Sequence, residues 1–233
     1  MRKTAILMFA LCMGCMSWAQ NKETRDVGNF DEIMMRISGK VYVTQGDKNE
    51  VILEGDDDLL SEIDTDVRSG RLVIKSRRNN WRFWNSRSRG RLSVYITVKE
   101  LNGAYISGSG DIIGQNTIKT DDFVASIAGS GDIDMDLDAE YVRASISGSG
   151  NIELQGKSDR AKLAISGSGK YLAEKLTVGE YQVGMSGSGR GSIYVDGGDL
   201  DVRISGSGKV YYMGNPRSVN SSVSGSGSVR KIN

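Results

Sequence analysis

Ser-Gly-Ser-Gly recurs six times in this 233-residue chain, beginning at Ser107, Ser147, Ser166, Ser186, Ser205 and Ser224. Ala-Gly-Ser-Gly stands in the same series at Ala128. Successive copies are 21, 19, 19, 20, 19 and 19 residues apart, and an apolar residue stands immediately before each. A fixed period near twenty marks a stacked solenoid, in which each coil buries its apolar face only against its neighbours.

Within one coil the apolar spacing is two. Ile146, Gly148, Gly150, Ile152 and Leu154 share one parity; Ser145, Ser147, Ser149, Asn151 and Glu153 share the other. Alternate residues of a strand face opposite sides. The first set is therefore predicted to face inward, both glycines included, and the serines outward. After a polar bend from Gly156 to Arg160, Ala161, Leu163 and Ile165 resume the inward parity. Neighbouring coils repeat this: Ile133, Met135, Leu137, Val142 and Ala144 follow Ile127, and Val210, Tyr212, Val219 and Ser221 follow Ile204. A helix requires a spacing near 3.6, and glycine costs a helix interior about 1 kcal/mol each time. Coils of this length suit two or three short strands joined by bends, stacked as parallel ladders about 4.8 Å apart. The glycines then serve one of two purposes. They let two walls of a flattened tube approach closely, or they supply positive φ at a corner.

Residues 20–101 lack the repeat but keep the alternation. Ile33, Met35, Ile37, Val41 and Val43 alternate, as do Leu92, Val94, Ile96 and Val98; Val51 with Leu53 and Leu72 with Ile74 mark further strands. Asp56 to Ile63 allows one helical turn. Ile37-Ser38-Gly39-Lys40-Val41 is a shortened copy of the motif. The expectation is an N-terminal β-rich cap over 20–101 and a solenoid of about seven coils over 102–233, together one continuous domain. The last motif leaves half a coil before Asn233, where Arg230 and Lys231 either protect a bare edge by charge or border a surface for self-association.

The first nineteen residues read as a secretory signal peptide. Arg2 and Lys3 give a charged start, Ala5 to Met13 a short apolar run, and Ser17-Trp18-Ala19 a small-residue cleavage site before Gln20. Gly14-Cys15 offers a rival lipoprotein cut, but Cys12 stands three residues earlier where that motif wants Leu. Simple cleavage is therefore favoured over lipidation at Cys15. It removes both cysteines, and the chain has no histidine. Thiolate and imidazole chemistry, disulfides included, are thereby excluded from the mature protein. Removing Arg2 and Lys3 leaves 28 basic residues against 29 acidic, a net charge of −1, which gives no global pull toward nucleic acid or anionic membrane. No later stretch is long and apolar enough to be a transmembrane helix.

Several ordered motifs carry a family likeness: Phe30-Asp31-Glu32-Ile33, Gln45-Gly46-Asp47, Val51 to Gly55, Leu59-Leu60, Leu72-Val73-Ile74-Lys75, Val94 to Val98 before Leu101, and Ile106 to Asp111. Together they resemble the family called putative auto-transporter adhesin, head GIN domain, over nearly all of the mature chain. The resemblance implies an all-β fold, a right-handed parallel β-solenoid (β-helix), in exported bacterial proteins. It implies no catalytic residues and no cofactor. The C-terminal membrane barrel of a true auto-transporter has no counterpart in this sequence.

The richest non-repetitive feature is the stretch from Arg77 to Arg91. Arg77, Arg78, Arg82 and Arg87 stand there with Trp81 and Trp84. Arginine forks bind carboxylate, sulfate or phosphate, and indole faces stack on sugars or guanidinium groups. As a loop between two strands, this stretch would bind an anionic glycan, a lipid headgroup or an envelope protein. Alternatively its tryptophans pack back on the cap and the arginines stay solvated. The outward serines form a second feature, a smooth strip suited to self-association or simply a polar companion to the glycines. A third is the column after the motif, which runs from Asp111 and Asp132 to Lys170, Arg190 and Lys209. The acidic row Asp132, Asp134, Asp136 and Asp138 is too extended for one calcium site, its members being about 7 Å apart along the strand. The expected function is an exported, non-catalytic binding, adhesin-like or scaffolding protein of the periplasm, outer membrane or cell surface. The alternative is a polysaccharide lyase or hydrolase working through Asp132, Asp134 and Glu153, which needs a recessed acid–base pair.

Overall fold

The structure, a computed structural model, describes residues 21–77 and 92–232. The expected signal peptide lies outside the described residues, as do Arg78, Trp81, Arg82, Trp84 and Arg87. What is described is a β-solenoid built almost wholly of strand.

The repeat forms a continuous parallel stack. Its strands are β8 (Gly103–Gly108), β9 (Asp111–Gly114), β10 (Ile118–Gly129), β11 (Asp132–Gly148), β12 (Asn151–Gly167), β13 (Lys170–Gly187), β14 (Arg190–Asp196), β15 (Asp199–Gly206), β16 (Lys209–Asn215), β17 (Ser218–Ser224) and β18 (Ser228–Lys231). One wall of the tube leads into each motif and the other leaves it. The register superimposes the copies: Ile127 pairs with Ile106 and Ile146, and Gly148 with Gly129 and Gly167. Irregular steps in the period appear as local irregularities. The 20-residue step coincides with a register shift between Glu153 and Gln155 on β12. The 21-residue step adds its residues between β9 and β10, where Asn116 and the Gln45 backbone exchange two hydrogen bonds of 2.9 Å.

Isoleucine and glycine of the motif have separate tasks, and the glycines differ from each other. Ile106, Ile127, Ile146, Ile165, Met185 and Ile204 are buried, and the serines are exposed, as the alternation requires. The first glycine of each copy is not inside. It forms the corner, with φ between 113° and 143° from Gly108 to Gly225. The second glycine is buried in all the inner copies, such as Gly150 and Gly169. The close approach it permits is to the rung beneath rather than to an opposite wall. A Cβ on Gly169 would lie 2.5 Å from Ile146 Cγ2 and 2.7 Å from the Gly150 carbonyl oxygen. Positive φ at a corner thus holds for the first glycine, while the second serves rung-to-rung packing in place of the expected approach of two walls.

The corner keeps its backbone ladder. The second serine of a copy donates its N–H to the first-glycine carbonyl of the preceding copy: Ser149 to Gly129, Ser168 to Gly148, Ser188 to Gly167 and Ser207 to Gly187, each 2.9 Å. The residue after the motif donates to the second-glycine carbonyl, as Lys170 does to Gly150 at 3.1 Å.

The N-terminal strands are β1 (Asn21–Arg25), β2 (Glu32–Arg36), β3 (Lys40–Gln45), β4 (Glu50–Gly55), β5 (Ile63–Arg68), β6 (Arg71–Ser76) and β7 (Ser93–Val98), with the short helix α1 at Asp57–Ser61. Two pairs of them are rungs of the same stack. β2 and β3 lie parallel to β8 and β9, and Ser38 Oγ is 3.0 Å from Ser109 Oγ. On their other side β2 and β3 pair in parallel with β6 and β7. Stack order therefore departs from chain order: β6–β7 is the lowest rung, β2–β3 sits on it, and β8–β9 follows. Closure of that lower end falls to antiparallel strands. β4 pairs with β7, β1 with β4, and β5 with β6. Leu59 and Leu60 of α1 are buried there.

Inside the tube, Tyr171 and Tyr181 reach from opposite walls and their hydroxyls meet at 2.8 Å with both side chains fully buried. Burial pushes both phenols above their ordinary pKa. The unfolded chain ionises these groups from about pH 10 and the folded chain does not, so their contribution to stability persists up to that pH and falls as pH rises beyond it.

Gly169→Ala meets backbone and a buried isoleucine and is expected to lose about 1–3 kcal/mol. Gly184→Ala, whose added Cβ meets only the Leu163 carbonyl oxygen at 3.9 Å, is expected to be neutral or stabilising by up to about 1 kcal/mol; urea unfolding compares them. Tyr171→Phe or Tyr181→Phe strands a buried hydroxyl and is expected to cost about 1–3 kcal/mol, while the double substitution costs less than the two singles together. The double variant should also lose less stability above pH 10 than the parent chain.

Candidate functional surfaces

The lowest rung differs from every other at its corner. In the upper rungs four residues, Ser-Gly-Ser-Gly, join the two walls. In β2–β3 the four residues in the same register are Arg36-Ile37-Ser38-Gly39. Between β6 and β7 the corresponding connection runs from Arg77 to Leu92. Its two ends are fixed. The Arg77 N–H donates to the Glu62 carbonyl at 2.7 Å while the side chain is exposed. Leu92 is buried, and its carbonyl accepts from the Lys40 N–H at 3.1 Å. Arg77 and Leu92, which bracket the arginine–tryptophan stretch in sequence, thus lie at the corner of a terminal rung. Of the six candidate residues, the described part places Arg77 there; Arg78, Trp81, Arg82, Trp84 and Arg87 lie outside the described residues.

At the other end of the same wall, where β6 and β2 begin, Arg71, Glu32 and Tyr105 of β8 form a polar network. Arg71 forms a 2.6 Å ion pair with Glu32, the Tyr105 hydroxyl donates to Glu32 at 3.1 Å, and the guanidinium lies 4.3 Å from the Tyr105 ring centroid. Burial and the Glu32 carboxylate push the Tyr105 phenol up. On the other wall Tyr42 and Tyr95 stack with centroids 5.3 Å apart, and Lys22 lies over Tyr95. Neither group was identifiable by spacing, because residues 32, 71 and 105, or 42 and 95, meet only through the reordered stack.

The serine strip is present on the outer face leading into the motif. Ser145, Ser147, Ala164, Ser166, Gly184 and Ser186 line part of a shallow depression of about 470 Å³ that Arg203 and Ser205 continue.

The column after the motif is real as a ladder but its charge does not run simply from acidic to basic. Lys40 sits beneath Asp111, at 3.8 Å, and Asp132 follows Asp111 above. Partial burial and the neighbouring Asp132 hold the Asp111 carboxyl above its usual range, against the opposing pull of Lys40. Asn151 donates to Asp132 at 2.7 Å, Lys157 pairs with Asp138 at 3.3 Å, and Gln155 donates to Asp136 at 3.4 Å. The acidic row is thus largely partnered by the next rung, and among the described residues no group of three carboxylate, histidine or cysteine side chains is placed to hold a metal ion. Asp132, Asp134 and Glu153 do share a shallow open groove of about 380 Å³ with Asp111 and Lys170. It offers no enclosed acid–base pair.

The fold and these surfaces define a class: a β-solenoid closed at one end by antiparallel strands, with its distinctive chemistry at a corner and along open faces. The family model described as "Putative auto-transporter adhesin, head GIN domain" matches residues 29–216, and the chain belongs to that family. Among solved structures, a "putative adhesin" from Bacteroides fragilis is 25% identical, with a TM-score of 0.82 over 93% of this chain and 98% of that one. A "putative lipid binding protein" from Parabacteroides distasonis is also 25% identical, with a TM-score of 0.75 and the same coverage. A "putative adhesin" from Parabacteroides merdae, at 19% identity and a TM-score of 0.72 over 93% of this chain and 98% of that one, shares the fold. No curated relative matches the chain. Among the described residues no helix is long and apolar enough to cross a membrane.

A carboxyl with a raised pKa burdens the folded state once it ionises and not before. Asp111→Asn is therefore expected to raise the melting temperature at pH 7. The gain should shrink as pH falls through the raised pKa of the folded state and be gone below about 4, where the unfolded chain's carboxyl is itself protonated. Calorimetry across that range checks both the sign and the window.

Proposed function

We propose that this chain is an exported, non-catalytic binding protein of the bacterial cell envelope, and that it takes an anionic group displayed on a glycan or a lipid headgroup. One observation carries the reading. The uniform motif corner is replaced, in the terminal rung alone, by a stretch rich in arginine and tryptophan whose ends are anchored at Arg77 and Leu92. Arg77, Arg78, Arg82 and Arg87 supply guanidinium forks for phosphate, sulfate or carboxylate, and Trp81 and Trp84 supply faces for sugar rings or acyl chains. The family relation and the relatives described as adhesins and a lipid binding protein support a binding role. The leader over 1–19, ending Ser17-Trp18-Ala19, supports export. The open, ladder-paired carboxylates support a non-catalytic assignment.

The test uses two immobilised probes, lipopolysaccharide and vesicles containing phosphatidylglycerol. The parent chain is expected to bind at least one, more weakly as salt is raised. Trp81→Ala, Arg82→Ala and Trp84→Ala together should reduce that binding tenfold or more without shifting the melting temperature. Preference for one probe over the other identifies the carrier of the anion. Undiminished binding by the triple variant rejects this site.

A further inference from the structure

We infer that β17 is a homotypic docking strand: a second copy of this chain pairs with it antiparallel, about a two-fold axis passing through Ser221. Among the described residues β17 is paired on one side only, in parallel with β15. Its inward positions, Val219, Ser221 and Val223, continue the core columns of Leu200, Val202 and Ile204. Those three lower residues are buried, whereas Val219 and Val223 are each 40% exposed. An uncovered strand edge backed by apolar side chains is a template for another strand.

The occupant follows from the sequence of the strand. The pattern of valine and small polar residues in Ser-Val-Asn-Ser-Ser-Val-Ser over Ser218–Ser224 is symmetric about Ser221, with Asn220 and Ser222 the one unlike pair. Antiparallel pairing sets Val219 against Val223 of the second copy, Ser221 against Ser221, Asn220 against Ser222 and Ser218 against Ser224. Parity is conserved, so the valines of both copies face one shared interior and the polar side chains one shared exterior. No charged residue lies in the strand, whereas β15, directly beneath, carries Asp199, Asp201 and Arg203. The other wall of the same rung is guarded: β18 ends in Arg230 and Lys231, and two copies of those charges oppose each other. The contact is thus confined to β17 and continues the rung-to-rung ladder by one interface. Being isologous, it closes at two copies and does not propagate a fibre.

The exported chain is examined by light scattering over a range of concentrations. A dimer is expected, and Val223→Lys and, separately, Asn220→Lys should return it to a monomer that melts where the parent chain melts once diluted to monomer; Asn220→Lys charges the edge without entering the interior. Register is read by cysteine linking. Ser221→Cys places two thiols directly opposite, within Cα distances of about 4.5–5.5 Å, and should give a disulfide-linked dimer. Ser218→Cys places them about 20 Å apart and should not. A strict monomer, a dimer that survives both lysine substitutions, or equal linking through Cys at 218 and 221 overturns the pairing. So does linking of the 221 thiol to a different envelope protein, which assigns the edge to a foreign strand. These outcomes are independent of whether the Arg77 corner binds an anion.

Discussion

The hydrogen bonds from each motif to the glycine carbonyls of the motif beneath hold the stack in register. A solenoid corner is where a parallel ladder usually fails, because the chain must turn and its amides rotate away from their partners. Here the turn is made by a residue with positive φ, and the ladder resumes at once on the following serine. Ser149, Ser168, Ser188 and Ser207 all make the same 2.9 Å bond. That uniformity requires consecutive rungs to approach without side chains between them. It also requires the apolar residue before each motif to fill the inside of the bend against the next rung's second glycine, as Ile146 does against Gly169. Isoleucine, corner glycine and packing glycine are one device, and the serines occupy the two positions that the device leaves to solvent.

This is why so much of the architecture was legible in the chain. A period-two pattern combined with a twenty-residue repeat leaves few solutions, and Ile146, Ile152, Leu154, Leu163 and Ile165 lie buried as their parity demands. The division of labour between the glycines was not legible. Both stand on the same parity, and parity fails at the corner because Gly148, the last residue of β11, has a φ of 130° and turns the chain. The order of the lowest rungs was hidden for a different reason. Ile37-Ser38-Gly39 resembles the motif, but nothing in the spacing says that β6–β7 returns beneath β2–β3. Hydrophobic alternation fixes which face of a strand is buried and is silent about which neighbour it pairs with. The Tyr171–Tyr181 bond was missed on the same ground: an inward tyrosine looks like any inward hydrophobe until a second hydroxyl from the opposite wall reaches it.

The candidate site was legible as composition and only partly as place. Six arginines and three aromatics in fifteen residues, from Arg77 to Arg91, stand out in a chain whose remaining loops are short and polar. Their location at a motif-equivalent corner depends on the pairing of Lys40 with Ser93 and of Arg36 with Lys75. The corner matters physically. A short turn in the middle of the stack is flanked by rungs on both sides, and a long insertion there would have to clear both. In the lowest rung one neighbour is replaced by the antiparallel closing strands, and the ladder resumes at Leu92, whose carbonyl accepts from the Lys40 N–H.

The same reasoning explains why the distinctive features collect at the two ends. An interior rung must match the rung above and the rung below at every column, which holds its residues to small outward groups, ladder-paired polar groups and a fixed inward set. Asp132 with Asn151 and Asp138 with Lys157 show how even charged outward positions are absorbed into neighbour pairing. A terminal rung answers to one neighbour only. At the lower end that freedom takes the form of a long arginine–tryptophan connection. At the upper end it appears in the absence of charge from β17, which among the described residues pairs with β15 alone and yet retains the inward valines. Retention of Val219 and Val223 at positions open to water runs against the tendency of exposed edges to acquire charge, a tendency that β18 obeys on the opposite wall of the same rung. An uncharged edge strand that remains half apolar, with a valine–polar pattern symmetric about Ser221, has the properties of an interface.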